Sequence, residues 1–272
     1  MIYSEAYRVF KQSSRTFYYA SKLFPKSVRD DVAILYAFVR TIDDLVDRPN
    51  PDVDGFYRAW ELIMRSMDGE QTGVWYIDMF AELSRRKGFR FEHIEAFMRS
   101  MEMDLYIRSY MTFRDLLEYI YGSAEVIGIF MAKIMELPSE AYDSAMKLGR
   151  AYQFINMVRD IGEDLMLGRI YMPVEDLERF RVRCFCDTPE FREMIRFEVR
   201  RFYTMISDAE QGYRYLPRKY FIPIKTASDL YKWAARIIYR RPSIVLQPRS
   251  RVKPSPIRSI SYGIANMVRA WL

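Results

Sequence analysis

The sequence is poor in histidine and cysteine. Its 272 residues include one histidine, His93, and two cysteines, Cys184 and Cys186. A single histidine excludes a three-histidine zinc site and leaves any serine–histidine or cysteine–histidine mechanism dependent on His93, which we expect to be a surface residue. Two cysteines separated by one residue rarely form an ordinary disulfide and are too few for a structural zinc site. We therefore expect a reducing compartment and assign the pair no role.

Glycine-rich phosphate loops and long apolar runs are also missing. The sequence contains neither G-x-x-x-x-G-K-S/T nor G-x-G-x-x-G, so any phosphate must be bound by other means. Its longest uncharged stretch is far shorter than the ~18 apolar residues that a spanning helix needs. The N-terminus lacks the apolar core and cleavage site of a signal peptide. These features predict a cytoplasmic protein.

The positive charge is concentrated in the C-terminal part of the chain. The net charge of the whole chain is +6. The region from Arg214 to the end contains thirteen Lys or Arg residues and one acid, Asp229, so it carries +12 and the first 213 residues carry −6. Basic residues interspersed with aromatic and aliphatic ones are typical of contact with an anionic surface, either a membrane or nucleic acid. A merely solvated face explains the charges equally well. We expect peripheral membrane contact and no nucleic-acid partner.

Helical periodicity dominates the sequence, and strand signals are scarce. The pattern predicts an all-α, single-domain helical bundle with a central cavity, spanning residues 1–272. "TFRD" at 112–115 has the form of a capping box at the start of a helix. The predicted helices span roughly 3–22, 27–48, 53–68, 74–87, 92–110, 112–136, 139–166, 189–215, 222–240 and 256–270.

The stretch "RTIDDLVD" places three aspartates, Asp43, Asp44 and Asp47, on one turn of an otherwise apolar helix. Residues four apart share a helix face, so Asp43 and Asp47 point the same way and repel each other. Divalent cations with oxygen ligands remove such repulsion. Taken alone, the cluster is explained as well by a solvated helix end before "DRPNP".

A second polar stripe changes that interpretation. In "QFINMVRDIGEDLMLGRIYMP", residues 153–173, Gln153, Asn156, Asp160 and Asp164 follow at spacings of three, four and four, which keeps them on one helix face. Arg40, Arg159 and Arg169 stand beside the two stripes, and arginine binds phosphate oxygens bidentately. Two facing stripes across an apolar bundle predict a Mg²⁺ pocket for a diphosphate with a long apolar tail.

These motifs resemble those of the squalene/phytoene synthase family, the head-to-head prenyl synthases, and are most like phytoene synthase. "YAFVRTIDDLVD" and residues 153–173 are similar to the two aspartate-rich motifs, "SSRTFYYASKLFP" to an N-terminal segment, and "MEMDL" and "YIYGSAEVIG" to two further segments. The resemblance runs from about residue 5 to about 240, and the tail at 241–272 matches loosely. It implies an isoprenoid synthase fold and an enzyme of carotenoid biosynthesis.

The resemblance also implies roles for individual residues. Tyr121 would lie near the reacting carbons and act with Asp43, Asp47, Asp160 and Asp164 as the catalytic set. Mg²⁺, with Mn²⁺ as an alternative, would be held by Asp43, Asp44, Asp47, Asn156, Asp160 and Asp164. Substrate contacts would come from Ser13, Ser14, Arg15, Thr16, Tyr36, Arg40, Gln153, Arg159, Arg169 and Tyr231.

The implied reaction joins two prenyl diphosphates through a cyclopropylcarbinyl diphosphate. This intermediate ionises, rearranges, and then loses a proton or takes hydride from NADPH; released diphosphate or a tyrosine would relay the proton. One departure is Glu125, where the family often has glycine; its carboxylate would join the metal face, pair with an arginine or face away.

The sequence favours a twenty-carbon substrate. In the resemblance, members with thirty-carbon products carry bulky residues at the positions of Ser21 and Ala33, and Ala37 lies one turn further on. Small residues there would lengthen the cavity, which predicts phytoene from two geranylgeranyl diphosphates without NADPH. Simple helix packing would explain the same alanines.

Three alternatives remain open at this point. Squalene or dehydrosqualene synthesis from farnesyl diphosphate is the first, and a non-catalytic assembly or binding protein of the same family is the second. A head-to-tail prenyl transferase or terpene cyclase would also carry D-D-x-x-D. We would not expect the full second motif in such an enzyme.

Overall fold

The computed structural model describes residues 2–13, 18, 21–247, 252 and 254–271, and these residues form helices connected by turns and loops. The α-helices are α1 Ile2–Ser13, α2 Lys26–Val46, α3 Val53–Met67, α4 Trp75–Lys87, α5 Phe91–Tyr106, α6 Phe113–Ile120, α7 Val126–Ile134, α8 Tyr142–Arg159, α9 Ile161–Met166, α10 Val174–Arg179, α11 Pro189–Ala209, α12 Arg218–Arg240 and α13 Pro256–Trp271. A π-helical segment, Tyr121–Glu125, joins α6 to α7, and 3₁₀ turns follow at Ser139–Ala141, Glu210–Tyr215 and Pro242–Leu246. The all-α prediction is confirmed.

The helix starts follow from local sequence. The capping box predicted at Thr112 is present, because the Thr112 hydroxyl accepts from the Asp115 amide at 3.1 Å and the Asp115 carboxylate accepts from the Thr112 amide at 2.9 Å. Thr188 caps α11 in the same way, at 3.2 Å from the Phe191 amide. These bonds satisfy amides that have no partner within the first helical turn.

Two predicted helices are broken. The helix predicted over 139–166 is interrupted at Asp160 (φ −98°, ψ 13°), between α8 and α9. The bend brings Gly162 onto the turn Pro242–Leu246, where a Cβ would lie 2.8 Å from the Leu246 carbonyl carbon. The helix predicted over 112–136 contains the π segment. There Gly122 lies against the Ala96 carbonyl oxygen, 2.1 Å from where a Cβ would stand, so tertiary packing interrupts both helices.

Buried apolar side chains form two clusters. The first includes Phe38 stacked on Phe80, with ring centroids 3.6 Å apart, and draws mainly on α1–α5 and α7. The second includes Phe154 and Phe202 and draws mainly on α6, α8, α11 and α12. Helices α2 and α8 contribute to different clusters, and the cavity described below lies where the clusters meet.

Buried charges outside the cavity form a network at α10 and α11. Arg201 Nη1 lies 2.7 Å from both Asp176 and Glu198, and both carboxylates are almost inaccessible to solvent. Burial raises the pKa of Glu198 to about 8; the Arg201 charge opposes this shift and Asp176 adds to it. Glu198 therefore retains its proton at neutral pH.

We expect the pH dependence of stability to reveal this proton. The pKa of Glu198 is higher in the folded protein than in the unfolded chain. Its contribution to the free energy of unfolding is therefore complete at acid pH and is lost as pH rises through about 8. The free energy of unfolding should fall by about 2 kcal/mol more between pH 6 and pH 8 in the wild type than in Glu198→Gln. Urea unfolding at both pH values measures this difference.

Glu193→Gln on the same helix is the control, because the Glu193 side chain is half exposed. That variant should follow the wild-type pH dependence. Parallel curves for the wild type and Glu198→Gln would contradict the expectation.

Candidate active site

A cavity of about 420 Å³ lies between the two apolar clusters. Its volume falls within the range of small-molecule sites, ~300–1,000 Å³. Among the described residues its lining contains no Asp, Glu, His, Lys or Arg. The polar atoms of the wall come from a few hydroxyl and amide side chains: Ser21, Tyr36, Ser123, Ser144, Tyr152, Gln153, Asn156, Tyr213 and Tyr231. Such a lining suits a hydrocarbon chain.

Two acidic stripes extend from this cavity. The first consists of Asp43, Asp44 and Asp47 at the end of α2, and the second of Gln153, Asn156, Asp160 and Asp164 on α8 and α9. On α2, Tyr36 and Val39 line the cavity, and Asp43 and Asp47 follow one and two turns later. On α8, Gln153 and Asn156 line it; Asp160 ends that helix, and Asp164 lies on α9. The Arg169 amide donates to the Asp164 carbonyl at 2.9 Å and the Arg169 guanidinium donates to Asp47 Oδ1 at 2.9 Å, so Arg169 connects the two stripes. The break at Asp160 does not separate them.

Arginines pair with both stripes. Arg40 Nη1 lies 2.7 Å from Asp43 Oδ2, and its other terminal nitrogen pairs with Asp44. Arg159 forms two hydrogen bonds with its neighbour Asp160, at 2.8 and 2.5 Å. Both guanidinium groups thus lie at the acidic end, as the sequence predicted.

Arg169 connects the first stripe to a buried acid, Asp104, for which the sequence predicted no role. It donates to Asp47 Oδ1 at 2.9 Å and to the Val46 carbonyl at 2.7 Å. Asp104 of α5 lies 4.0 Å from the same guanidinium and accepts hydrogen bonds from the hydroxyls of Tyr119, at 2.8 Å, and Tyr171, at 2.6 Å. The available signal was an acid, Asp104, between the apolar residues Met103 and Leu105 in "MEMDL".

The site holds more carboxyl groups than guanidinium groups. Six aspartates (43, 44, 47, 104, 160 and 164) face three arginines (40, 159 and 169). Burial raises the pKa of Asp43 to about 7 against the opposing charge of Arg40, and burial with the charge of Asp160 raises the pKa of Asp164 to about 8. Added cations would stabilise the ionised forms of both carboxyls.

The donor set fits Mg²⁺. It consists of carboxylate oxygens and the Asn156 amide oxygen, which is buried and accepts no hydrogen bond from any described residue. Among the described residues, however, no three His, Cys, Asp or Glu side chains lie close enough together to hold a metal ion. Mg²⁺ typically binds one or two carboxylates together with substrate phosphates and water, so separate carboxylates suit a metal that arrives with diphosphate.

Some of the other predicted substrate-binding residues line the cavity and some do not. Gln153, Tyr36 and Tyr231 line the cavity, and Ser13 ends α1 in an exposed position. The predicted contacts at Ser14, Arg15 and Thr16 lie outside the described residues.

Tyr121 is not among the described residues that line the cavity, and it is 37% exposed. The π segment begins at this residue. Tyr119, two positions earlier, is a buried tyrosine that contacts Asp104. The role expected for Tyr121 near the reacting carbons stays a prediction.

The structure resolves two further expectations, the contact of Glu125 and the place of the three small residues. Glu125 is buried and pairs with Arg150 at 2.6 Å, the second of the three options that the sequence left open. Ser21 lines the cavity, whereas Ala33 and Ala37 are fully buried outside its lining and serve helix packing. Of the three small residues, only Ser21 bears on cavity length.

His93 and the cysteines differ from expectation. His93 is half-buried, with its ring 6.3 Å from that of Phe130, and burial lowers its pKa. Cys184 and Cys186 are joined by a disulfide, because the non-helical turn holds their Cα atoms 5.4 Å apart, within the range that a disulfide spans. Neither feature belongs to the cavity wall.

Known proteins are similar to this chain in sequence and in fold. A sequence model described as squalene/phytoene synthase matches residues 10–258. A 15-cis-phytoene synthase of Synechocystis is 29% identical over 289 aligned positions, 96% of this chain and 84% of the relative. A second 15-cis-phytoene synthase, from Paracoccus, is 34% identical over 63% of this chain and 60% of its own.

A third relative, the 4,4'-diapophytoene synthase of Staphylococcus haemolyticus, is 29% identical over 66% of this chain and 65% of its own. A crystal structure of a dehydrosqualene synthase in complex with ligand superposes with a TM-score of 0.90. It covers 98% of this chain and 96% of that one at 22% identity, which supports the fold.

Proposed function

The chain belongs to the squalene/phytoene synthase family, and on that premise we propose that it condenses two geranylgeranyl diphosphates head to head to phytoene. The observation that carries the proposal is the apolar cavity that ends at two acidic stripes with their arginines. One end suits diphosphate and the other suits a hydrocarbon tail. The relatives named as phytoene synthases support the same choice of product.

The diphosphates would bind at the acidic end. Arg40, Arg159 and Arg169 would hold their oxygens, and the predicted ligands Asp43, Asp47, Asn156, Asp160 and Asp164, with Asp44 in support, would hold Mg²⁺. Bound Mg²⁺ would neutralise charge that develops on the leaving diphosphate. Each of these arginines pairs with an aspartate, so it would exchange carboxylate for phosphate when substrate enters.

The cavity would protect the cations formed after ionisation. Its walls carry no charged side chain among the described residues, and an apolar enclosure keeps water from a reactive cation. The aromatic rings of Phe10, Tyr36, Tyr152 and Tyr231 lie in the wall, and ring faces attract cations.

Product analysis tests this function. The purified protein would be incubated with Mg²⁺ and either farnesyl or geranylgeranyl diphosphate, with and without NADPH, and the hydrocarbon identified. We expect phytoene from geranylgeranyl diphosphate without NADPH. A thirty-carbon product alone would support the alternative, squalene or dehydrosqualene synthesis, and no product from any combination would exclude an enzyme and favour the binding-protein alternative.

The basic C-terminal region would contact an anionic membrane surface, which would receive the apolar product. None of the described helices is both long and apolar enough to cross a membrane. On α13, Ile264 and Met267 are exposed together with the basic Arg258. Basic and apolar groups on one helix suit the surface of a lipid bilayer.

We expect the protein to sediment with vesicles that contain anionic lipid and to be released at about 0.5 M salt, where charges are screened over a few ångströms. Ile264→Ser should weaken this binding. Equal sedimentation with neutral vesicles at low and high salt would contradict a charge-driven contact.

A further inference from the structure

Three hydroxyl groups are joined in the cavity wall. Tyr152 and Tyr213 both line the cavity, and Ser228, which is fully buried, stands outside the lining. The Tyr152 and Ser228 hydroxyl oxygens are 2.6 Å apart, and those of Tyr213 and Ser228 are 2.5 Å apart. The three groups form one continuous hydrogen-bonded chain.

This chain leads to a carboxylate. The Tyr213 hydroxyl lies 3.0 Å from Glu210 Oε1, and the other oxygen of Glu210 pairs with Lys232. The side chains of Glu210 and Lys232 are 20% and 25% exposed, so this end of the chain reaches solvent. The network therefore runs from the cavity to the surface.

The Tyr213 hydroxyl is placed to donate to both Ser228 Oγ and Glu210 Oε1, and its single proton serves one of these acceptors at a time. Each hydroxyl has one proton and two acceptor lone pairs. When Tyr213 donates to Glu210, Ser228 is able to donate to Tyr213, and Tyr152 to Ser228. Every proton then points away from the cavity, and the Tyr152 oxygen retains a lone pair to accept a proton.

Tyr152 stands near the reacting end of the cavity. Its ring stacks on that of Tyr231, with centroids 4.2 Å apart, and it precedes Gln153 and Asn156 on α8. Burial raises the pKa of Tyr152 and of Tyr213 well above the usual value. Both therefore stay protonated, which suits groups that pass a proton on.

The proposed reaction needs a proton acceptor. Without NADPH, the final cation becomes a hydrocarbon by losing a proton from a neighbouring carbon. The described lining offers no histidine or carboxylate, and His93 lies elsewhere. The hydroxyl chain links this lining to a carboxylate.

We propose that Tyr152, Ser228 and Tyr213 relay the proton lost in the last step from the substrate cation to Glu210. The C–H bond next to the cationic carbon breaks, and its electron pair forms the new C=C bond. Tyr152 accepts that proton as its own passes to Ser228; Ser228 passes one to Tyr213, and Tyr213 passes one to Glu210. The carboxylate becomes a neutral acid beside Lys232 and loses the proton to solvent. This inference rests on the proposed function.

Tyr152→Phe and Glu210→Gln test the relay, with Tyr203→Phe as the matched control. Tyr203 also donates a hydrogen bond to α12, at 3.2 Å to the Lys232 carbonyl, but lies outside the chain. Diphosphate release and hydrocarbon yield are measured together, in H₂O and D₂O. Both relay variants should release diphosphate within about threefold of the wild type and form about tenfold or more less hydrocarbon, because general acid–base catalysis contributes roughly 10²–10⁴-fold.

The missing hydrocarbon should appear as alcohols from capture of the cation by water. The wild type and Tyr203→Phe should show a solvent isotope effect on hydrocarbon formation, and Tyr152→Phe should lose it. If Tyr152 had a purely structural role, its substitution would not change the solvent isotope effect.

The outcomes separate the two proposals. An active wild type with both relay variants unchanged would overturn the relay alone. Equal loss of diphosphate release and hydrocarbon would also overturn it, since the damage would then precede the last step. A hydrocarbon formed only with NADPH, or no product at all, would overturn the proposed function and the relay with it.

Discussion

Asp160→Asn is expected to lower hydrocarbon formation about a thousandfold while the protein remains folded. Removing one group that stabilises developing charge typically costs ~10²–10³-fold in rate, and Asp160 is proposed both to bind Mg²⁺ and to hold Arg159. Asparagine keeps the size of the side chain but removes its charge. Product yield at saturating substrate and increasing Mg²⁺ measures the effect.

The fold should tolerate this substitution. Asp160 takes part in the break between α8 and α9 through its backbone: its amide donates to Asn156 at 2.8 Å and its carbonyl accepts from Glu163 at 2.8 Å and Asp164 at 2.9 Å. Asparagine readily adopts the conformation found here. The variant removes the carboxylate that Arg159 binds at 2.8 and 2.5 Å, which should cost about 1–3 kcal/mol of stability.

Asp143→Asn is the matched control, because Asp143 lies in the first turn of the same helix and is 73% exposed. It should retain wild-type activity. Full activity of Asp160→Asn, or an equal loss in both variants, would contradict the proposed role of the second stripe.

Ser21→Phe is expected to change the preferred substrate from twenty to fifteen carbons. Ser21 is buried, lines the cavity beside Phe24 and Tyr36, and donates to the Tyr18 carbonyl at 2.8 Å. A phenyl group at this position would occupy space that a longer chain needs within a cavity of about 420 Å³. Loss of fit for a single methylene is worth ~10–200-fold in specificity.

We therefore expect the ratio of kcat/KM for geranylgeranyl to farnesyl diphosphate to fall at least about tenfold. Competition between the two substrates, followed by product analysis, measures this ratio. Ser27→Phe is the control, since Ser27 is exposed at the start of α2 and should leave the ratio unchanged. If both variants kept the wild-type ratio, cavity length at Ser21 would not select the substrate.

The spacing of polar residues predicted much of the candidate site. Positions three and four apart on one helix share a face whatever the rest of the molecule does, so Gln153 and Asn156 reach the cavity together. Arg40 pairs with Asp43 and Asp44 for the same reason, at spacings of three and four. These contacts are local and follow from helix geometry.

Contacts between distant segments were not predictable in this way. Asp104 was missed because its partners Tyr119, Tyr171 and Arg169 come from other elements. Tyr121 is exposed at the start of the π segment, and Tyr119, two positions earlier, is a buried neighbour of Asp104. The close approach of Gly122 to α5 accompanies that segment, and no local pattern reports it.

The sequence by itself determined the all-α class, the two acidic stripes and their neighbouring arginines, because helix periodicity and local spacing are properties of the chain alone. The tertiary structure decided which of these groups meet. It brought Asp47 to Arg169 across 122 positions, excluded Ala33 and Ala37 from the cavity lining, and joined Tyr152 to Glu210 through Ser228 and Tyr213. Such contacts depend on how the helices pack, and packing is settled by the burial of side chains from all of them at once.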